Sequence, residues 1–302
     1  MIEFIEQHLA VFIDPSERVF FVHLLLALVA ASAVCSYRES KFDLKSQLSS
    51  LLKKDYWFNR STLVDYTLLV VNAGIKGLLV VPAVGTRFAG AFAFGKFLQM
   101  NVGDFIITGA PWLLIAIGFS LVLFTADDLS RFLLHRVMHK YDSLWRLHRV
   151  HHSATTLTPF TVFRTHPIES LLYFLRGFLV FSFVTGIALW LFRGQLTALE
   201  ILGVEAIGFT FNMLFANLRH SHIYLTFGRL ERWIISPAQH QLHHSKTHGH
   251  PNYGACFALW DQLIGSLRKS DPKHLQTPLE FGLTADESRR PIKDSTSVQS
   301  YA

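Results

Sequence analysis

Residues 105–139 read FIITGAPWLLIAIGFSLVLFTADDLSRFLLHRVMH, an apolar run that leads directly into a pair of histidines. The apolar part, 105–124, has the length that a helix needs to cross a bilayer, about 20 residues. Asp128, His135 and His139 follow at spacings of seven and four residues, so they share one helix face. The stretch therefore predicts a membrane-spanning helix that continues outside the bilayer and presents two imidazoles there.

The composition is that of an integral membrane protein. Half of the 302 residues are hydrophobic and 17% are charged, against about 25% charged in typical soluble domains. The formal net charge is +6, but the basic residues stand beside apolar segments and no nucleic-acid-binding motif is present, so we expect no nucleic-acid partner. The two cysteines are far apart and form no C-x-x-C motif, which argues against thiolate metal sites and a disulfide scaffold.

The apolar segments define the domain organisation. Residues 1–124 form a transmembrane region with candidate spans at 19–35, 63–84 and 105–124, the last two joined by a loop at 85–103. Residues 125–284 form a catalytic region, within which 171–215 is an apolar hairpin that either spans the membrane or dips into it. Residues 285–302 are predicted to be a disordered tail because they are rich in polar and charged side chains. The predicted fold is an all-α membrane bundle with a helical, histidine-rich cap.

The distribution of basic residues predicts the orientation of these spans. The 36–62 loop carries six Lys and Arg residues, whereas the 85–103 loop carries two. By the positive-inside rule the 36–62 loop faces the cytoplasm and the N-terminus faces the other side. Three spans then place 127–169 in the cytoplasm, and the hairpin returns the chain to the same side. All the histidine clusters are therefore expected in one compartment.

Two further histidine clusters share a single spacing. Residues 148–152 read HRVHH, and residues 240–244 read HQLHH after a Ser-Pro pair that suits a helix start. Positions i, i+3 and i+4 lie on one helix face, so each cluster can direct three imidazoles at one point. The ligands predicted from the three clusters are His135, His139, His148, His151, His152, His240, His243 and His244.

Several other residues are candidates for supporting roles. We expect the Asp128 carboxylate to accept the outer ring N–H of a ligand histidine and so fix its tautomer. His220 is a candidate to complete a coordination sphere, with His222 or Asn217 as a weaker or water-bridged ligand. His166 either binds metal, orients a ligand through Glu169, or is structural. His248 and His250 are expected to be surface or gate residues, and His8, His23 and His274 to have no metal role.

Eight or nine nitrogen ligands are too many for one ion, since zinc usually takes four ligands and iron up to six. The count therefore predicts two metal ions. A set of imidazoles without thiolate suits iron, with zinc as a possible substitute. Two irons on a helical cap above a membrane indicate O₂ activation against a C–H bond of a lipid supplied by the bilayer.

The chain resembles the fatty acid hydroxylase/sterol desaturase superfamily over residues 125–266. The resemblance includes the three clusters, the RTHPIE element at 164–169, the His220 element, and the NYG, WD and Gly elements at 252–254, 260–261 and 265. It implies a non-haem di-iron centre that uses O₂ to hydroxylate or desaturate a lipid. Carried over by position, it implies as ligands His135, His139, His148, His151, His152, His220, His240, His243 and His244.

The resemblance also implies an electron donor. The sequence contains neither a haem-binding domain nor a Gly-rich dinucleotide fingerprint after a strand. We therefore expect electrons from a separate ferredoxin- or cytochrome-type donor with its reductase.

Two other functions are consistent with a histidine-rich membrane protein. A di-zinc lipid hydrolase needs a carboxylate base, for which Glu169 and Asp261 are the nearby acids. A metal transporter or haem carrier would place its ligands within the spans, whereas these histidines flank them. The sequence leaves open which lipid and carbon react, whether the product is hydroxylated or desaturated, and the oligomeric state.

Overall fold

The computed structural model describes residues 21–39, 49, 52–105, 107, 109–192, 217–275, 277 and 279–289. Every named element among them is helical, which confirms the predicted all-α fold class. Nine helices are labelled here: α1 Phe21–Glu39, α2 Arg60–Ile75, α3 Arg87–Val102, α4 Trp112–Lys140, α5 Asp142–His152, α6 Pro167–Leu191, α7 Pro237–His244, α8 Leu259–Ile264 and α9 Ala285–Arg289.

Three helical stretches among the described residues are long and apolar enough to cross a membrane: Arg60–Val102, Trp112–Lys140 and Pro167–Leu191. The protein is an integral membrane protein. The apolar part of α1, Phe21–Ser36, is shorter, and it overlaps the first predicted span. Residues 193–215 of the predicted hairpin lie outside the described residues.

The segment 85–103, which we expected to be a loop, is mostly helix α3. The chain turns at Gly85, whose φ of 88° suits glycine, and the Thr86 side chain then caps α3 by accepting the N–H of Ala89. Helix α3 packs closely along α6 because glycines meet there. A Cβ on Gly186 would lie 2.9 Å from the Ala91 carbonyl oxygen and 3.1 Å from the Gly95 nitrogen. Small residues at such contacts let helix backbones approach in a membrane, and the sequence analysis did not consider this pairing.

Helix α4 connects the membrane region to the cap without a break. Its 29 residues span about 43 Å at 1.5 Å per residue. Phe119 and Leu123 in its first half are buried in an apolar cluster with Phe181 of α6. His135 and His139 occur in its last turns. The membrane helix therefore carries two of the predicted ligands as one rigid element.

A buried ion pair ties the first described span to the cap. Arg164 donates through Nη1 to the Asp65 carboxylate of α2 at 3.0 Å and through Nε to the Val150 carbonyl of α5 at 3.0 Å. Thr161 also donates to Asp65, at 2.7 Å. Because Asp65 is fully buried, these partners offset the cost of removing its charge from water. The network fixes α5 relative to α2.

The segment predicted as a disordered tail begins with an ordered helix, α9. Glu287 accepts the backbone N–H of Thr284 at 2.8 Å and pairs with His250, and Arg149 reaches the Ser288 carbonyl at 3.4 Å. These contacts give the polar segment partners that its composition does not reveal. Residues 290–302 lie outside the described residues.

Candidate metal centre

Four parts of the chain deliver histidines to one place in the cap. Helix α4 carries two, α5 carries three, α7 carries three, and His220 follows the helical turn Asn217–Arg219. Helix α7 starts in a capping box, in which the Ser236 side chain accepts from the Gln239 N–H and the Gln239 side chain accepts from the Ser236 N–H. This cap fixes the first turn of α7. The whole of α7 is buried, so its three imidazoles are held away from solvent.

The nine predicted ligands separate into two groups, in each of which the candidate ligand atoms lie within 4.8 Å of one another. We call them group one and group two. Group one combines all three histidine-bearing helices, and group two takes His220 in addition to residues of α5 and α7. Group one is His135, His139, His148, His152 and His243; group two is His151, His220, His240 and His244.

The four Nε2 atoms of group two face one another. His220 Nε2 lies 3.0 Å from that of His240, 3.2 Å from that of His244 and 3.3 Å from that of His151. The Nε2 atoms of His240 and His244 are 3.2 Å apart. Four nitrogens at the metal distance of a tetrahedral zinc–imidazole site, 2.0–2.1 Å, would be separated by about 3.3 Å. The spacing of group two therefore fits a metal ion.

Three histidines of group one have an outer ring nitrogen held by an acceptor. His135 Nδ1 donates to the Tyr253 carbonyl at 2.8 Å, and His243 Nδ1 donates to the Pro251 carbonyl at 2.8 Å. His148 Nδ1 donates to the Glu169 carboxylate at 2.7 Å. Each bond places the proton on Nδ1 and leaves the Nε2 lone pair directed inward. This is the arrangement by which outer partners orient metal-binding histidines.

The inner nitrogens are buried and lack partners among the described residues. A buried nitrogen with no hydrogen bond costs free energy, on the order of 1–3 kcal/mol, so a set of them in one place fits a site that binds a metal ion. In group one these atoms are Nε2 of His139, His148, His152 and His243.

Burial also keeps these imidazoles neutral, which is the form that binds metal. Burial is the largest cause that lowers the pKa of His148 and His151, to about 3 in each case. The pKa values of His152, His243 and His244 also lie well below the usual range, first because of burial and then because of neighbouring histidines.

The role predicted for Asp128 is wrong. Its carboxylate accepts the backbone N–H groups of Cys256 and Phe257, at 2.8 and 3.0 Å, and the Trp260 indole N–H at 2.8 Å. It therefore anchors the loop that follows α7 rather than a histidine ring. The shared helix face placed Asp128 correctly on α4, but about two turns of helix separate it from His135. The loop, which is distant in sequence, and the start of α8 supply three hydrogen-bond donors to the carboxylate.

The remaining candidates lie outside the two groups. His166 caps α6, with Nδ1 accepting the Ile168 N–H at 3.2 Å, in line with the structural role left open for it. His222 is exposed and its ring packs against Tyr56. Asn217 is buried in the turn before His220. Glu169 reaches a histidine of group one, His148.

Sequence reasoning missed three features of the site. The Pro251 and Tyr253 carbonyls hold group one, but backbone acceptors carry no residue-type signal. Trp145 is buried with its ring 5.0 Å from that of His139 and 5.3 Å from that of His152. His250 also lies beside group one, 4.6 Å from the His152 ring. Its Nδ1 donates to the His243 carbonyl at 2.8 Å and its Nε2 faces Glu287.

The fold and the site define a class: a helical membrane protein whose cap holds two adjoining groups of buried histidines, each suited to a metal ion. Residues 120–266 match the fatty acid hydroxylase family model. Residues 120–266 thus form a fatty acid hydroxylase domain, and the resemblance stated from its motifs is confirmed.

Curated relatives act on different lipids. The chain is 29% identical over 160 residues to ornithine lipid hydroxylase OlsE of Rhizobium tropici, covering 52% of this chain and 43% of that protein. It is 24% identical to alkylglycerol monooxygenase of Homo sapiens over 53% of this chain and 32% of the relative. It is 27% identical to a Delta(7)-sterol 5(6)-desaturase of Gibberella zeae over 70% of this chain and 60% of the relative.

The matches cover only part of these relatives, less than two thirds of the length of each. No solved structure matches the chain. By their names, these relatives are a lipid hydroxylase, a lipid monooxygenase and a sterol desaturase.

Proposed function

We propose that the protein is a non-haem di-iron oxygenase that hydroxylates, or desaturates, a C–H bond of a membrane lipid with O₂ and electrons from a separate donor. The observation that carries the proposal is the pairing of two buried imidazole groups on one cap. Five histidines in one group and four in the other are enough for two ions and too many for one.

The proposed ligands are the nine histidines of the two groups. Iron bound by them would supply the activation of O₂ and the abstraction of hydrogen, which no side chain of the chain can perform alone. The absence of a thiolate from both groups favours iron over softer metals, and zinc is a possible substitute.

The residues around the ligands have two tasks in this reaction. Glu169 and the Pro251 and Tyr253 carbonyls orient the rings of group one, so that the lone pairs need no rearrangement when metal binds. The buried α7 and Trp145 keep water away from the ligands. A dry site protects a reactive oxidant from side reactions.

The rival proposal of a di-zinc hydrolase has less support. Asp261, one of its two candidate bases, accepts the backbone N–H groups of Tyr253 and Gly254 at 2.8 and 2.7 Å, so it holds the loop. Glu169 directs one oxygen at His148. Asp261 is thus occupied by the loop, and Glu169 orients the ring of a proposed ligand through one of its oxygens.

We further propose that the cap faces the cytoplasm, where a ferredoxin- or cytochrome-type donor and its reductase reach it. The basic 36–62 loop supports this orientation. A cysteine introduced by Lys140→Cys, at the exposed end of α4, is expected to react with an impermeant maleimide in inverted membrane vesicles and to be protected in right-side-out vesicles. The reverse pattern would contradict the orientation.

Lipid mass spectrometry tests the reaction. Cells that express the chain are compared with cells that express the His243→Ala variant at equal membrane abundance. We expect a lipid that gains one oxygen atom, or loses two hydrogens, only with the unaltered chain. Lipids split into headgroup and chain, without oxidation, would refute the oxygenase and favour the hydrolase.

A further inference from the structure

Large apolar side chains are exposed on two short elements at one side of the cap. The first element is the 3₁₀ helix Gly228–Arg232 with the following Trp233, and the second is α8. Leu230 is 60% exposed, Trp233 64% and Leu263 71%. Leu259 and Ile264 are exposed as well. We call these five side chains the apolar edge.

The two elements are joined, so that the apolar edge is one surface. The Ala258 N–H donates to the Trp233 carbonyl at 2.9 Å, and the Gln262 side chain donates to the Arg232 carbonyl. Residues i and i+3 coincide on a 3₁₀ helix, which brings Leu230 and Trp233 to one face. Leu259 and Leu263 of α8 are four residues apart and therefore share one face of that helix. Contiguous exposed apolar surface of this kind marks an interaction site.

The charges that border the apolar edge are positive. Arg229 and Arg232 are exposed on the same 3₁₀ helix, whereas Glu231 between them is buried. The Glu231 carboxylate accepts from the side chains of Ser236 and Ser270, at 2.8 and 2.6 Å. Lys269, next to Ser270, is exposed. The Glu231 carboxylate is thus buried, whereas the three basic side chains are exposed to the surroundings.

The apolar edge lies at the level where α4 leaves its apolar run. Phe124 ends that run, and its ring packs edge-to-face on Phe257 with centroids 5.5 Å apart. One turn later, Asp128 holds the backbone of Cys256 and Phe257 and the Trp260 indole, directly before and within α8. The start of α8 is therefore fixed to the part of the membrane helix at the bilayer boundary.

We propose that the apolar edge inserts into the headgroup region of the bilayer that α4 crosses, with Arg229, Arg232 and Lys269 meeting anionic phospholipid. An apolar stripe with a Trp and flanking cations is the pattern of a segment that lies in the membrane interface. The insertion fixes the distance between the cap and the surface of the bilayer. The proposal depends on the membrane fold and not on the proposed reaction.

The test measures the depth of single labelled positions. The native thiols are removed by Cys35→Ala and Cys256→Ala, and Leu230→Cys, Leu263→Cys and Tyr141→Cys are made singly and labelled with an environment-sensitive fluorophore. Tyr141 is the matched control, because it is also a large exposed side chain but lies at the end of α4, about 26 Å beyond Phe124 at 1.5 Å per residue. The full chain is reconstituted in vesicles of phosphatidylcholine and phosphatidylglycerol that contain nitroxide lipids.

We expect blue-shifted emission and several-fold stronger quenching by nitroxide lipid at 230 and 263 than at 141, with iodide in the water quenching only 141 strongly. Equal exposure of all three labels to iodide would overturn the proposal. Protection of 230 and 263 from both quenchers would also overturn it, because the apolar edge would then be covered by protein, either another segment of this chain or a second copy.

Discussion

Three imidazoles of group one, His135, His148 and His243, direct Nδ1 at an outer acceptor. His148 shows this arrangement most clearly, with Nδ1 on the Glu169 carboxylate at 2.7 Å and Nε2 buried without a partner among the described residues. His250 lies as close to its neighbours, but both of its ring nitrogens are engaged, by the His243 backbone carbonyl and by the Glu287 carboxylate. Proximity alone therefore does not distinguish a ligand from a neighbour, whereas the direction of the free lone pair does.

A pair of variants tests this distinction. His151→Ala removes one of the four nitrogens of group two and is expected to lower bound metal from two ions toward one per chain, with loss of product. His250→Ala is the matched control on the same cap and is expected to keep both ions. Elemental analysis of the purified membrane protein gives both counts. Metal loss in the His250 variant, or full retention in the His151 variant, would show that the ligands are assigned wrongly.

The low pKa values of the buried histidines predict acid sensitivity. His148 and His151 have pKa values of about 3 in the folded chain against 6.5 as the ordinary value. Between pH 3 and pH 6.5 the histidines of the unfolded chain bind protons that those of the folded chain do not. Their contribution to the free energy of unfolding is therefore complete above pH 6.5 and is lost as the pH falls toward 3. Protons also compete with metal for the same nitrogens.

The corresponding measurement is the thermal midpoint and the metal content of the detergent-solubilised protein from about pH 7.5 down to about pH 5, across the ordinary histidine pKa. Both are expected to fall together below the ordinary pKa. A midpoint and a metal content that stay constant over this range would contradict neutral buried imidazoles.

At the scale of elements, the short helix α7 carries three candidate ligands on eight residues. A helix this short is marginal by itself and depends on its cap and its burial. Ser236 both caps α7, accepting the Gln239 N–H at 3.1 Å, and donates to the buried Glu231 carboxylate at 2.8 Å. The geometry of the centre therefore depends on one hydroxyl that is not a ligand.

Replacement of that hydroxyl measures its contribution. Ser236→Ala is expected to lower the free energy of unfolding by about 1–2 kcal/mol, from the lost cap and the lost bond to Glu231. Ser143→Ala changes an exposed serine on α5 and is expected to have little effect. Thermal unfolding of both variants in detergent makes the comparison. Equal stability of the two variants would mean that the cap does not hold α7.

Sequence periodicity predicted the helices whose residue pattern lies within a few turns of the chain. The i, i+3, i+4 spacing on α4, α5 and α7 placed the histidines on common faces, and the structure brings all nine into two groups. The pairing of α3 with α6 was missed because it depends on glycines about 90 residues apart. Asp128 was assigned wrongly because its partners come from a loop about 130 residues later. Contacts between residues so far apart in the sequence leave no periodic pattern in a single sequence.

At the scale of the whole molecule, three apolar helical stretches carry one cap, and α4 runs from membrane to metal groups as a single rigid helix. The buried Asp65–Arg164 pair joins the first of these stretches to the turn after α5. This construction fixes the position of the candidate centre relative to the apolar helical stretches.

The most direct test of the account is the metal content of the purified protein together with O₂ uptake. The account predicts two iron ions per chain, and O₂ consumption that requires a reductant and membrane lipid and is abolished in the His243→Ala variant. Tightly bound zinc without iron, with lipid hydrolysis that needs neither reductant nor O₂, would contradict it.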